Sequence, residues 1–322
     1  MTSIIRAPGL DEMPALHRIW TEAFGGEDIA SFFSHYFDPE FCAVAAVGGA
    51  PVAAGYLFPT GGLICGGIVI PCAMIYGVAT LPGYRSLGYG AAVLRELLLT
   101  ARRAGFPAVA LCPSEDSLFE YYSARTELRD WFYIVERSFE KPRSGGARVE
   151  LAPAGAEEYG RLREAALLGV AHIRQDPRAL SYQSLLCGEY GGGLYSAAIS
   201  GLDSRGADQG GGCAVACAAV EIGQGGEVWV KELLAPPGMD DAVLSAIADA
   251  YPAGRYIVRT PAIGAPARPD APAAGQDASN RRTCERGAGA RIRRFGMLSA
   301  PPGVLSAADP CNATPWLGFA FD

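Results

Sequence analysis

Arg85, Gly88 and Gly90 stand in the order Arg-x-x-Gly-x-Gly, between a run that ends like a strand and a run that begins like a helix. Val78, Ala79 and Thr80 precede them, followed by Leu81 and Pro82. Beyond them Val93, Leu94, Leu97, Leu98 and Ala101 fall on one face at helical spacing, with Arg95, Glu96, Arg102 and Arg103 on the other. A chain that turns through glycines into a helix presents unpaired backbone N–H groups, backed by the positive end of the helix dipole. Glycines at 88 and 90 remove the Cβ atoms that would hold a phosphate off the main chain, and Arg85 adds a fixed positive charge. The pattern predicts an anion cup built from Arg85, Ser86, Leu87, Gly88, Tyr89, Gly90 and Ala91.

Two familiar phosphate loops do not fit. A Walker loop needs Gly-Lys followed by Ser or Thr at the helix entry, and that tripeptide is absent. A dinucleotide fingerprint needs a third glycine where Val93 stands, and a strand running almost directly into the first glycine, where Pro82 to Leu87 intervene.

The block 78–91 resembles the Arg-x-x-Gly-x-Gly segment of the GCN5-related N-acetyltransferases, the GNAT superfamily. That resemblance implies acetyl-CoA as cosubstrate. Its pantetheine arm would lie along the backbone of Val78, Ala79 and Thr80, and its diphosphate on residues 85–91. Thr80 replaces the valine more often seen there, which matters little where only the backbone is used. The order of elements agrees. Strand 3–7 leads to helices 11–24 and 29–36, and strands 41–47 and 52–58 form a hairpin about Gly48-Gly49. Strand 68–80, the loop helix, strand 107–112, helix 115–123 and strand 131–139 follow. The resemblance thus covers residues 1–140.

Past residue 140 a linker-like Lys-Pro-Arg-Ser-Gly-Gly-Ala leads to a second cycle. It reads as strand 148–152, helix 157–168, strands 193–199, 212–222 and 227–234, helix 239–250 and strand 256–259. In the place of the phosphate loop stands Ala235-Pro-Pro-Gly-Met-Asp-Asp, whose two acids would repel a diphosphate. The expected fold is therefore α/β (α+β), tandem GNAT-like domains each with a mixed, mostly antiparallel sheet flanked by helices. Residues 1–140 form the catalytic unit and 148–322 a degenerate one. Residues 261–291, rich in Pro, Ala and Gly, read as a long loop. The tandem arrangement resembles the Eis-like branch of the superfamily, without that branch's third, sterol-carrier-like domain.

In the family a tyrosine at the end of the helix after the loop-helix strand protonates the departing thiolate. Tyr122 holds that position, and Tyr121 is its alternative because Thr126-Glu127 replace the family's Gly-Phe pair. In the Eis-like branch the C-terminal carboxylate acts as base, which here points to Asp322, reached through the apolar run 316–321. The same run also reads as a final strand closing the second sheet. His17, His35 and His172 read as structural, and Gly25-Gly26-Glu27-Asp28 as a loop over the acceptor cleft.

Composition sets the outer limits. The 322 residues are 50% hydrophobic and 19% charged with net charge −7, room for two domains and no basic patch for nucleic acid. The negative charge agrees with a cationic amine as acceptor. No apolar run is long enough for a membrane span, and the first residues are too polar for a secretory signal. Nine scattered cysteines without Cys-x-x-Cys suggest reduced, buried side chains in a cytoplasmic protein. Cys213 and Cys217 have no histidine near them in sequence, so no metal is expected. The reading is an N-acetyltransferase that moves acetyl from acetyl-CoA to a small-molecule or peptide amine in a ternary complex. A non-catalytic acyl-CoA-binding sensor is the rival. The oligomeric state, homo-oligomer included, stays open.

Overall fold

The computed structural model describes residues 3–26, 29–142, 147–200, 214–261, 291–306 and 314–319. The N-terminal part runs β1 (Ser3–Arg6), α1 (Met13–Phe24), α2 (Ile29–His35), β2 (Cys42–Val47), β3 (Ala50–Pro59), β4 (Gly62–Cys65), β5 (Ile68–Ile70) and β6 (Cys72–Thr80). It continues with α3 (Tyr89–Arg103), β7 (Ala108–Leu111), α4 (Asp116–Ser123) and β8 (Arg129–Phe139). The C-terminal part runs β9 (Arg148–Pro153), α5 (Ala156–Ala166), β10 (His172–Arg174), α6 (Pro177–Glu189), β11 (Gly193–Ser200) and β12 (Ala214–Ile222). After these come β13 (Val228–Leu234), α7 (Asp240–Ala250), β14 (Tyr256–Pro261), β15 (Arg291–Ser299) and α8 (Pro302–Ser306).

Twelve of these strands make one sheet in the order β1-β2-β3-β6-β7-β15-β8-β14-β13-β12-β11-β9. The sheet runs unbroken across the 141–147 junction, because β8 pairs with both β14 and β15. Two pairings are parallel, β6 with β7 and β13 with β14. Each needs a crossover helix, supplied by α3 and α7. The two parallel pairs flank the central β15–β8 pair at matching distances, so the order of the sheet is mirrored about its middle. β4, β5 and β10 form a separate small sheet that ties residues 172–174 to the hairpin 62–70.

One face of the large sheet is covered by a continuous core with Leu16, Trp20 and Phe32 from α1 and α2, and Tyr159, Leu180 and Tyr182 from α5 and α6. On the other face α3 and α4 cover one core, and α7 covers a second. Fixing both sets of helices on a shared sheet sets the geometry of the split described below.

Several elements differ from the sequence expectation. Pro71 divides the expected strand 68–80 into β5 and β6, since it cannot donate to a ladder. The expected loop 261–291 ends where β15 begins, and β15 lies between β7 and β8. Residues 314–319 are not a closing strand of the large sheet. Trp316 makes a single parallel bridge to His172, its N–H bonding Ala171 O at 2.8 Å and its carbonyl accepting from Ile173 at 3.0 Å. Pro315 has no N–H, and Gly318 turns the chain at φ 79°. Trp316 is fully buried, with its indole N–H 2.6 Å from Glu232 Oε2. Glu232 also accepts from Tyr159 and from Arg163, both at 3.0 Å.

Candidate active site

The parallel pairing of β6 and β7 lasts only from Cys72–Ala108 to Ile75–Leu111. Beyond it β6 stays on β3, while β7 gives way to Cys112-Pro113-Ser114. A bulge helps the two strands part. Tyr56 pairs with Tyr76 and Ala54 with Ala79, so Gly77 and Val78 together face Gly55. Gly77 sits at φ 58°, and a Cβ there would lie 2.9 Å from the Trp20 ring and 3.1 Å from Tyr56. Only glycine satisfies both the conformation and the space.

A cleft of about 380 Å³ fills the split. Ile75, Val78, Leu111, Leu118 and Tyr122 line it from the α3–α4 side, and Trp20, Met74, Tyr76 and Phe295 from the α1–α2 side. The cleft therefore passes through the plane of the sheet. A thioester arm and an acceptor can enter from opposite faces and meet between the strands.

The predicted anion cup follows the end of β6, whose Gly77 and Val78 line the cleft. After Leu81 a single 3₁₀ turn over Pro82–Tyr84 leads to Arg85, Ser86 at φ 62° and Gly88 at φ 88°, the residue that caps α3. The first intrahelical bond runs from Ala92 to Gly88 O at 3.0 Å, so the N–H groups of Tyr89, Gly90 and Ala91 open the helix ahead of it. The loop from Pro82 to Gly88 is open to solvent except for half-buried Tyr84, and Ala91 is buried. Arg85 Nε donates to Thr80 O at 3.1 Å, which folds the guanidinium back over the strand end. A Cβ on Gly90 would lie 3.2 Å from Thr80 Oγ1 and 3.6 Å from the Tyr121 hydroxyl. The strand end, the helix start and Tyr121 converge there, leaving the main chain bare toward a ligand.

The two tyrosines of α4 separate in space. Tyr121 reaches the cup and lies under the Arg125 guanidinium, 4.1 Å from its ring centroid. Tyr122 lines the cleft, and burial, with smaller contributions from Tyr121 and Cys112, pushes its phenol up to about 12. Leu118 and Tyr122, four residues apart, share the cleft-facing side of the helix. Cys112 Sγ donates to Phe295 O at 3.0 Å, fastening the end of β7 to β15.

Asp322, expected as the base, lies outside the described residues, as do Glu27 and Asp28 of the loop expected over the acceptor and Cys213 of the sparse cysteine pair. The histidines are placed away from the cleft lining. His172 bonds Val170 O and Glu164, His35 bonds Ser31 O and Ser34, and His17 packs on Phe33. Among the described residues no group of three or more His, Cys, Asp or Glu is placed to hold a metal. None of the described helices is long and apolar enough to cross a membrane. Sequence reasoning missed the walls contributed from afar: Arg259 on β14, Arg293 and Phe295 on β15, and Tyr190 after α6. The apolar cluster of Phe295, Met297 and Leu298 was the available signal for β15, masked by the Pro- and Gly-rich run before it.

Comparison with known proteins agrees with this geometry. Residues 4–125 match the model of the acetyltransferase (GNAT) domain. A search of curated proteins finds no match. Among solved structures, a probable N-acyltransferase from Enterococcus faecalis V583 aligns over 92% of this chain and 72% of its own, at TM-score 0.62 and 15% identity. Eis1 from Mycobacterium abscessus aligns over 93% and 74%, at TM-score 0.54 and 12% identity. A putative acetyltransferase from Pyrococcus horikoshii aligns over 99% and 95%, at TM-score 0.55 and 16% identity. At these identities the structures speak for the fold, and the matched model identifies residues 4–125 as a GNAT acetyltransferase domain.

Proposed function

We propose that the chain transfers an acetyl group from acetyl-CoA to the nitrogen of a small-molecule or peptide amine by direct attack in a ternary complex. The carrying observation is that β6 leads from the cleft in the β6–β7 split, lined by Val78 and Tyr122, directly into the loop whose N–H groups open α3. The N–H groups at the start of α3, with Arg85 beside them, bind the diphosphate. Backbone groups of Val78, Ala79 and Thr80 align the pantetheine arm toward the cleft. The amine nitrogen forms a bond to the thioester carbonyl carbon, the carbon–sulfur bond breaks, the nitrogen gives its proton to water, and the released thiolate equilibrates with solvent as the thiol. Tyr122 donates a hydrogen bond to the leaving sulfur as its charge develops. The C-terminal half serves as a second GNAT-like unit without a cofactor. Its parallel pair β13–β14 and crossover α7 occupy the matching places, but Asp240 and Asp241 open that helix. Burial holds the Asp240 carboxyl above its usual range, Arg137 opposing.

Calorimetric titration with acetyl-CoA, followed by thiol release in the presence of an amine panel, tests the proposal. Wild-type protein binds and turns over, whereas Gly90→Val, whose side chain presses on Thr80 and Tyr121 and forces the strand end and helix start apart, binds at least about tenfold more weakly. Absence of acetyl-CoA binding refutes the proposal, and binding without turnover on any amine favours a sensor.

A further inference from the structure

β14 and β15 lie on either side of β8, and their registers bring Glu136 and three arginines together on one face. Arg259 is opposite Glu136 across the β14–β8 pair, and Arg291 is opposite Glu136 across the β15–β8 pair. Arg293, two residues along β15, shares that face because side chains alternate. Arg293 Nη2 donates to Glu136 Oε2 at 2.8 Å, and Arg259 Nε approaches the same oxygen at 3.4 Å. Glu136 thus holds both arginines on one face of the sheet. Both guanidinium groups also flank the Phe295 ring, at 5.1 Å for Arg259 and 5.7 Å for Arg293.

All three of Arg259, Arg293 and Phe295 line the cleft, together with Trp20, Phe24 and Tyr76. Among its described lining residues the charged side chains are these two arginines. Arg259 is buried, but 42% of the Arg293 side chain is open to solvent, so donors beyond its bond to Glu136 can reach a ligand. A planar guanidinium fork matches a carboxylate, and the aromatic walls match an apolar body. A polycation would meet like charge at the same wall.

We propose that the acceptor is an amino-acid-like molecule, a primary amine whose aromatic or aliphatic body carries a carboxylate. Arg293, with Arg259 behind it, binds that carboxylate and leaves the amine directed into the split. The proposal rests on the acetyltransferase reading above and names the substrate class for that same site.

The test compares phenylalanine with phenethylamine, which differ only by the carboxylate. Binding to the CoA-loaded full-length chain is followed by calorimetry and by Trp20 fluorescence, and turnover by thiol release. The expected result is that phenylalanine binds at least about tenfold more tightly and has the higher kcat/KM. In Arg293→Gln that ratio falls toward one, and Arg293→Lys restores part of it. Equal binding of the two compounds, preference for phenethylamine, or binding of neither by protein that still takes up acetyl-CoA overturns the proposal. A protein that takes up no acetyl-CoA overturns the underlying reading and this proposal with it. The wild-type comparison decides the ligand class even if an arginine variant fails to fold.

Discussion

Tyr122→Phe removes one hydroxyl from the wall of the cleft and little else, so it isolates what that group does for the leaving sulfur. Its magnitude follows from two ionisation constants. Burial first, then Tyr121 and Cys112, raises the Tyr122 phenol to about 12. An alkyl thiol ionises near about 8.5. Full proton transfer from phenol to departing thiolate is then uphill by about 3.5 units, or about 4.8 kcal/mol at about 1.36 kcal/mol per unit. The sulfur is thus better served by a hydrogen bond than by a transferred proton. A hydrogen bond to a charged group contributes about 1.5–3 kcal/mol, which predicts a loss of about 10- to 150-fold in kcat. The assay is thiol release at saturating acetyl-CoA and amine, with the melting temperature measured in parallel as a check on folding. The acetyl-CoA dissociation constant stays within a factor of about three, because the hydroxyl meets developing charge rather than the diphosphate. The wild-type profile shows no descending limb from this phenol until pH approaches about 12. A fall of less than about twofold in kcat would mean that Tyr122 does not reach the sulfur, and would shift attention to Tyr121. A fall beyond about 10⁴ would exceed a general acid's usual contribution and refute the hydrogen-bond account.

Gly77→Ala places an L-residue at φ 58° with its Cβ against Trp20 and Tyr56. Urea unfolding should show a loss of at least about 1–2 kcal/mol from the backbone alone, and a wild-type midpoint would argue against a fixed bulge. Glu232→Ala removes the fully buried carboxylate that faces the Arg163 guanidinium, itself 1% exposed, and releases the Trp316 indole. The expected cost is about 3–5 kcal/mol with faster proteolysis after residue 313, and unchanged digestion would count against the anchoring role. Burial opposes ionisation of Glu164, but bonds from His172 and Arg174 prevail and hold its carboxyl at about 2. A depressed folded pKa adds stability that is complete above about pH 4.3 and fades as pH falls toward 2. The stability gap between wild type and Glu164→Gln, followed by denaturation from pH 6 to pH 3, should therefore narrow below about pH 4.3, and a constant gap would refute the linkage.

The parts of this molecule that were legible in its sequence are those whose physics is local. The strand–turn–helix around Arg85, Gly88 and Gly90 is written in adjacent residues, since a missing Cβ and an open helix end need no distant partner. Helix α3 shows its buried stripe at 3.6-residue spacing, and Leu94, Leu97 and Ala101 are fully buried as that spacing requires. What stayed hidden depends on pairing over long sequence separations. β15 is nine residues in which Gly296 interrupts the register, and its place between β7 and β8 is set by partners more than 150 residues away. Helix α6 was missed because Pro177 opens it and its stripe is diluted by Ser181, Gln183 and Ser184, although Asp176 caps it through Ala179 N–H at 2.8 Å. The consequence for function is direct. The α3–α4 side of the cleft is built from one stretch, residues 75–122, and could be read in order, whereas its other side draws on α1, β14, β15 and the residue after α6. Chemistry common to a family can thus reside in a contiguous loop, while the choice of acceptor resides in side chains that meet only after the two halves of the chain have joined one sheet.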